Sequence, residues 1–579
     1  MGSALPAVVQ RVMHARGFAD AAAVAEFCEP RLSHLCDPAL LPNIDAAAHR
    51  LIDALRRNEM IVIYGDYDVD GVTATAILYH TIKTVQPAAR LRTYVPHRLE
   101  EGYGLNCDAL RQLKAEGADL VITVDCGITA LKSAHTAHEI GLDLIITDHH
   151  EFTHRSCVAN SMDLPRDGNP KIIAVHPGLP GSAYPFADLC GVGVAFKLAW
   201  HFAKLWCNSD RVSKTLQDTL VNMLPLVALG TIADVVPLLG ENRVMTAFGL
   251  RLIKQSPLPG LRALIEASGL MDEKIDSERV GFSLAPRLNA CGRMGHAAEA
   301  VHMLTDATPA EAVAIAQQLN EHNIHRQGVE RRIFEHAARL AEDSGMTSDA
   351  HRAIVLAHES WHPGVVGIVC SRMVERFGRP VVLLQHAAPL CKGSARSIDG
   401  YSIHDGLASA STHLATFGGH AMAAGLSLSA DNLAAFTDAL VGHANANITI
   451  DQLTPCISID CQAMLAELDD RAVHGLQSLS PFGRGNRAPT LLVRDVTLAE
   501  APKQMGSNGK HLALRLRQEH AGARNLMRAV WWSAGERAAD LAAGMRLDVA
   551  IEPKLNTWNG RVSVEAQVRD LRILRPAQA

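Results

Sequence analysis

The stretch Ile61-Val62-Ile63-Tyr64-Gly65-Asp66-Tyr67-Asp68-Val69-Asp70-Gly71 decides how this chain folds. A short apolar run, rich in β-branched residues, has the length of a strand buried on both faces and ends directly in three acids and a glycine. The pattern recurs down the chain. Leu120-Val121-Ile122-Thr123-Val124 delivers Asp125-Cys126-Gly127, and Leu144-Ile145-Ile146-Thr147 delivers Asp148-His149-His150. A fourth apolar stretch, around Leu226-Val227-Ala228-Leu229, leads to Ala233-Asp234-Val235-Val236. Open α/β sheets build their sites beyond the carboxyl ends of buried strands. Five or six carboxylates gathered there repel one another unless cations neutralise them. The spacing therefore predicts a metal centre for more than one ion.

Asp66-x-Asp68-x-Asp70-Gly71 also opens a calcium-binding helix-loop-helix signature, and that reading fails. The twelfth position is Ile77, where a bidentate Glu belongs, and a strand rather than a helix precedes the loop. In a loop at a strand end, the two-residue spacing turns Asp68 and Asp70 to the same side, each toward a different ion. Asp125, arriving from a neighbouring strand, can bridge them. His149 adds a nitrogen donor, which favours Mn²⁺ over an all-oxygen Mg²⁺ or Ca²⁺ site.

At 579 residues the chain divides into three or four domains. It is 48% hydrophobic and 20% charged, as ordinary globular proteins are, and its net charge of −6 announces no nucleic-acid partner. The segment from Cys456 onward has 17 Lys and Arg against 13 Asp and Glu, a small excess that an ordinary solvated surface accounts for as well as a local basic face. The 12 cysteines contain no Cys-x-x-Cys pair, which argues against zinc ribbons and redox motifs and suits a reducing cytoplasm. No signal peptide is expected at the N-terminus, and Pro6 spoils a myristoylation start. The apolar stretch Thr219–Leu239 carries Asn222, Pro225, Gly230, Asp234 and Pro237, so it reads as a buried helix and turn rather than a membrane span.

Strand-like and helix-like runs alternate from Asp45 to about Leu205, the pattern of a parallel sheet wrapped by helices. Strands are expected at Met60–Tyr64, Leu91–Val95, Leu120–Val124, Leu144–Thr147 and Ile172–His176, helices at Val72–Val85 and Asn106–Glu116, and a loop at Ser156–Pro170. Leu198 to about Leu270 reads as mostly helical, and Pro309 to about Ser344 as one long spacer helix. A second α/β unit starts near Ala353, with strands Ala353–Ala357 and Pro380–Leu384 around helix Val365–Phe377. Beyond Pro455, five short strand-like runs over about 110 residues read as a small barrel of the OB-fold kind.

The four acid and histidine motifs, in this order, resemble the DHH phosphoesterase family, named for the triplet at Asp148-His149-His150. Within it the chain is most similar to the RecJ group of single-strand-specific 5′→3′ exonucleases. Further segments carry the likeness: Pro96-His97-Arg98 through Glu101-Gly102-Tyr103-Gly104-Leu105, the block from Pro286 to Met294, and Trp361-His362-Pro363-Gly364. So do Gly393-Ser394-Ala395-Arg396-Ser397, Gly418-Gly419-His420, Pro481-Phe482-Gly483-Arg484-Gly485-Asn486 and Trp558-Asn559-Gly560-Arg561.

The resemblance implies an α/β multidomain fold: a parallel-sheet DHH domain, a long connecting helix, a smaller α/β DHHA1 domain and a C-terminal OB-fold β-barrel. The boundaries expected are an N-terminal segment over 1–44, the DHH domain over 45–270, a motif-bearing connector with the spacer helix over 271–350, DHHA1 over 351–450, and the barrel over 456–579. It also implies Asp68, Asp70, Asp125, His149 and Asp234 as ligands of two divalent cations, Mn²⁺ or Mg²⁺. Asp66 and His150 join Asp125 as catalytic candidates, and Asp148 braces its loop. Arg98, Asn289, Arg293, His362, Ser394, Arg396 and His420 are the substrate-binding candidates, with Arg98 at the 5′ end. Trp531, Trp532 and Trp558 are candidates for base stacking or for the barrel core. The implied activity is a cytoplasmic, single-stranded-DNA-specific 5′→3′ exonuclease that releases 5′-mononucleotides in DNA repair and recombination. Its implied state is a monomer, off the membrane, with a single-strand-binding protein and a helicase as partners.

Two rivals stand beside it. A DHH phosphodiesterase acting on nanoRNA, cyclic dinucleotides or polyphosphate needs the same acids but not the barrel. A non-catalytic DNA-binding scaffold, like the RecJ-related subunit of the eukaryotic replicative helicase, needs the barrel but not intact acids.

Overall fold

The structure, a computed structural model, describes residues 5–98, 100–160, 171–520, 523–558 and 561–574. The loop expected at Ser156–Pro170 and the motif at Trp558–Arg561 fall partly outside the described residues, and so does the Trp558 side chain.

In the first domain the expected strands form β1 (Ile61–Tyr64), β2 (Leu91–Tyr94), β3 (Leu120–Val124), β4 (Asp143–Thr147) and β5 (Ile172–Val175). They lie in the order β2-β1-β3-β4-β5, with every neighbouring pair parallel. Alternation splits each strand between two cores: Ile61, Ile63, Leu120 and Ile122 join the layer on one face, and Val62, Tyr64 and Val121 the layer on the other. Burial on both faces is why these runs are continuously apolar in sequence. The strand order reverses between β1 and β3, so a crevice opens beyond their carboxyl ends.

One covering layer holds the mutually packed helices Val69–Val85, Gly191–Trp206 and Lys214–Ala233. Helix Lys214–Ala233 is long and apolar enough to cross a membrane, but most of its apolar window is buried within the domain. Helix Val69–Val85 begins earlier than the expected Val72, because Asp68 caps it by accepting from the backbone N–H groups of Asp70 and Gly71. Asp70 is therefore in the first helical turn, not in a strand-end loop.

The connector helix Pro309–Asp343 runs 35 residues, about 50 Å. It starts with a capping box between Thr308 and Glu311 and with proline at its first position. It packs on helix Ala285–Met294 at one end and helix Pro363–Phe377 at the other, bridging two domains.

The second sheet contains β6 (Ile354–His358), β7 (Val381–Ala387), β8 (Leu390–Arg396), β9 (Thr416–Gly419) and β10 (Ala423–Ser429), ordered β6-β7-β8-β10-β9. β6 and β7 are parallel, joined by helix Pro363–Phe377, and the other pairings are antiparallel. Gly393-Ser394-Ala395-Arg396 lies within β8. Gly393 is needed there, since a Cβ at that position would sit 2.1 Å from the Leu383 carbonyl oxygen.

The third domain contains β11 (Cys461–Gln462), β12 (Leu491–Leu498), β13 (Lys503–Met505), β14 (His511–His520), β15 (Ala523–Trp531), β16 (Arg546–Trp558) and β17 (Arg561–Ile573). Pairing runs β12-β16-β17-β15-β14, and a further pairing of β14 with β12 completes a circuit of five strands. The N-terminal segment is not separate from this domain. Val8, Val9, Val12 and Met13 of helix Ala7–Ala15 lie in its core, and Arg16 pairs with Asp460 at 2.8 Å.

Candidate metal centre and active site

Asp66, Asp68 and Asp70 leave β1, Asp125 leaves β3, and Asp148, His149 and His150 leave β4, so the crevice at the strand-order reversal gathers all three motifs. Asp234 reaches the same place from the C-cap of helix Lys214–Ala233. Asp125 takes a left-handed backbone at φ 61°, a conformation rare outside glycine, asparagine and aspartate.

Among the described residues the donors fall into three overlapping groups, with the ligand atoms of each lying within 4.8 Å of one another. They are Asp70, His149 and Asp234; Asp66, Asp68 and Asp125; and Asp125, His149 and His150. They adjoin, since His149 Nε2 lies 3.2 Å from Asp125 Oδ1 and 3.5 Å from Asp234 Oδ2. Asp66, Asp70 and Asp125 are each at most 2% exposed. Burial, with the repulsion of neighbouring acids, lifts Asp70 to about 6, Asp234 to about 7, and Asp66 and Asp125 well above the usual carboxylate range.

Among the described residues, the buried atoms Asp66 Oδ1, Asp125 Oδ1 and His149 Nε2 have no hydrogen-bond partner. Orphaned buried polar atoms cost about 1–3 kcal/mol each, and more when charged. Divalent cations would satisfy all three, and a set of carboxylates with one imidazole suits Mn²⁺ and Mg²⁺. The residues present fit the two cations expected.

Asp148 does not face this donor set. It accepts from the backbone N–H groups of Ile128, His149 and His150 and from His150 Nδ1 at 2.7 Å. Although burial alone would raise it, the His150 hydrogen bond and the imidazole charges hold Asp148 well below the carboxylate range. Burial alone would lower His150, but the Asp148 hydrogen bond and charge lift it to about 9. Its Nδ1 lies 3.9 Å from Asp125 Oδ1.

Several residues with no signal of their own in the sequence complete the site. Val192 N–H donates to Asp70 Oδ1 at 2.7 Å, and the Cys190 thiol donates to Asp70 Oδ2 at 3.0 Å. Gly191 stands between them, where a Cβ would lie 2.5 Å from Asp125 Oδ1. The Tyr103 hydroxyl lies 3.2 Å from His150 Nε2. Tyr103 lies in a segment that carries the family likeness, and for Cys190 and Val192 the clue in the sequence is the pair of small residues in Gly191-Val192-Gly193 at the start of an apolar helix.

The substrate candidates divide. Arg98 stacks over Tyr67 at 4.6 Å. Arg293 is partly buried and lowered to about 9, first by burial and then by repulsion from Arg98, Arg326 and Arg396. Arg98, Arg293 and Arg396 thus come from three parts of the chain close enough to repel one another, an arrangement that favours an anion between them, and Arg293 also donates to Gly364 O at 2.9 Å. Ser394 and Arg396 pack over Gly367, and Arg396 donates to its neighbour's carbonyl, Ala395 O.

The other three are engaged elsewhere in this structure. Asn289 Oδ1 accepts from Val69 N–H, bracing the Asp68–Asp70 turn. His362 caps helix Pro363–Phe377, accepting from Gly364 N–H. His420 Nδ1 lies 3.1 Å from Glu151 Oε2, linking the second domain to the loop after His150. Trp531 is 8% exposed and belongs to the barrel core, so its place as a base-stacking candidate is corrected; Trp532, 51% exposed, faces out beside His511.

The sequence matches the DHH family N-terminal domain over residues 60–231, the DHHA1 domain over 350–444 and the RecJ OB domain over 459–570. It is 33% identical over 583 residues to the single-stranded-DNA-specific exonuclease RecJ of Dickeya dadantii, covering 98% of this chain and 96% of that protein. The chain belongs to the RecJ family. RecJ of Bacillus subtilis is 36% identical over 566 residues, covering 97% of this chain and 67% of its own length. The crystal structure of Thermus thermophilus RecJ in complex with Mn²⁺ superposes with a TM-score of 0.79 at 31% identity, covering 99% of this chain and 76% of that one. A second structure of that RecJ was solved with Mg²⁺.

Proposed function

We propose that this chain is a metal-dependent exonuclease specific for single-stranded DNA, degrading it in the 5′→3′ direction to 5′-mononucleotides in DNA repair and recombination. The observation that carries this is the match to the RecJ OB domain over residues 459–570 in a chain that also keeps the whole acid set. A phosphodiesterase for nanoRNA, cyclic dinucleotides or polyphosphate needs no such module, and a scaffold needs no such acids.

Asp68, Asp70, Asp125, His149 and Asp234 would hold the two cations, Mn²⁺ or Mg²⁺, with Asp66 close enough to join them. When bound, such cations acidify a water molecule and neutralise charge on phosphoryl oxygens. The rest is the work of side chains. Arg98, Arg293 and Arg396, with Ser394, form a pocket for the terminal phosphate beside the acids, which sets the strand's 5′ end against them. His150, held protonated by Asp148, supplies a proton to the departing 3′ oxygen. His420, tied to Glu151, closes the second domain over the strand, and Trp532 gives the barrel an exposed ring on which a base can stack. A donor set complete within one chain needs no second subunit, and the cysteines are free thiols, as a cytoplasmic protein's are.

The test uses single-stranded and duplex DNA carrying a label at either end, with Mn²⁺ present and Asp125→Ala as control. A 5′ label released at once as a mononucleotide from single strands, and lost with Asp125→Ala, is expected. Cleavage confined to short RNAs or cyclic dinucleotides would overturn the reading.

A further inference from the structure

Three consecutive polar residues, Glu241, Asn242 and Arg243, lie in the first turn of helix Gly240–Leu252 and are 3%, 0% and 3% exposed. Such side chains stay at that depth only when fully paired, and each of these ties down a different part of the chain. Glu241 accepts from Cys36 N–H, from the Tyr184 hydroxyl and from Lys197 Nζ at 2.5 Å, fixing the N-terminal segment. Arg243 donates to the carbonyls of Phe27, Ser480 and Pro481, fixing the third domain.

Asn242 is the one aimed at the metal centre. Its Oδ1 accepts from Cys190 N–H at 3.2 Å, and its Nδ2 donates to Asp188 O at 2.6 Å and Pro237 O at 3.1 Å. Two carbonyl acceptors leave no choice in which end of the amide is nitrogen. The side chain thus joins the two backbone segments that frame the donors. One carries Cys190 and Val192, the partners of Asp70. The other runs on from Asp234 through Val235, a β-branched residue held left-handed at φ 60°. That conformation is strained in a β-branched residue, so the turn persists only under outside restraint. The restraint comes from Asn242 on one side and from Leu238 N–H bonded to Arg484 O on the other.

We infer that Asn242 is a positioning residue for the cation centre, setting the separation of Asp70 from Asp234 without touching either. This rests on the assignment of those acids as cation ligands in the proposed function.

The test is Mn²⁺ binding to the whole chain, read from the loss of free-Mn²⁺ EPR signal, with Asn242→Asp. That variant keeps an acceptor for Cys190 N–H but turns an oxygen toward Asp188 O and Pro237 O. Asn242→Ser loses the same donors without burying a charge and serves if the first does not fold. Mn²⁺ affinity should fall about 10–100-fold, while affinity for single-stranded DNA in EDTA stays within about twofold of native. Glu241→Gln, equally buried but aimed elsewhere, should lower the melting temperature and keep native Mn²⁺ affinity. Native Mn²⁺ affinity in either folded Asn242 variant, or an equal loss in Glu241→Gln, would overturn the inference. Because metal binding is read directly, the outcome does not depend on whether the chain cleaves DNA.

Discussion

Replacing Asp70 by asparagine should stabilise the metal-free protein while weakening one of its two cation sites. Asp70 is raised from 3.8 to about 6, by burial first and by Asp68 next. A carboxyl whose folded value is raised contributes stability that is complete below pH 3.8 and is lost as pH rises through 6. At about 1.4 kcal/mol per pKa unit, the ionised side chain costs the native fold about 3 kcal/mol at pH 8. Asparagine never ionises, and its oxygen can still accept from Val192 N–H. For a domain of this size the variant should melt on the order of 5–10 °C above native at pH 8 in EDTA. The gain should shrink as pH falls through 6 and be nearly gone at pH 4. Adding Mn²⁺ should raise the native melting point by more than the variant's, which keeps the Asp66, Asp68 and Asp125 donors. Scanning calorimetry at three pH values, with and without Mn²⁺, measures all of this. An Asp70→Asn protein less stable than native at pH 8 in EDTA, or a difference that ignores pH, would refute the reasoning.

Other outcomes follow from the same geometry. With Asp70 near 6 and Asp234 near 7, protons compete with the metal, so apparent Mn²⁺ affinity should fall about tenfold or more between pH 8 and pH 6, measured by titration at fixed ionic strength. In Asp148→Asn the imidazolium of His150 loses its partner and its value drops from about 9 toward 6.5. Because the proton donor must be charged, the alkaline limb of the kcat–pH profile should move down by one to two pH units or so. Trp531→Ala should cost about 3–5 kcal/mol of barrel stability in denaturant melts. Trp532→Ala should leave stability alone and weaken single-strand binding by about 1–3 kcal/mol in fluorescence anisotropy.

Much of the fold and of the donor set was legible because a parallel sheet buries both faces of its strands. The runs Ile61–Tyr64 and Leu120–Val124 are continuously apolar, and the acids that end them stand out. The start of helix Val69–Val85 was misplaced because Asp68 and Asp70 read as loop acids, when one caps the helix and the other occupies its first turn. Strand β8 is not among the expected strands because Gly393 interrupts its apolar pattern, although that glycine serves close approach to Leu383. Trp531 and Trp532 are neighbours in sequence, and only the register of β15 tells which one faces the core. The partners of Asp70 at Cys190 and Val192 are a thiol and a backbone N–H more than a hundred residues away, which no local pattern connects to it. His362 and Asn289 enter as substrate candidates only through the family resemblance, and the local parts of their side chains, capping a helix and bracing a turn, have no signature in the sequence.

The central claim is a two-cation centre shared between β1, β3, β4 and the end of helix Lys214–Ala233. Anomalous diffraction from crystals grown with Mn²⁺ tests it most directly. Two peaks are predicted, one among Asp70, His149 and Asp234 and the other among Asp66, Asp68 and Asp125, with neither in Asp125→Ala at matched Mn²⁺. A single peak, or peaks away from these residues, would contradict it.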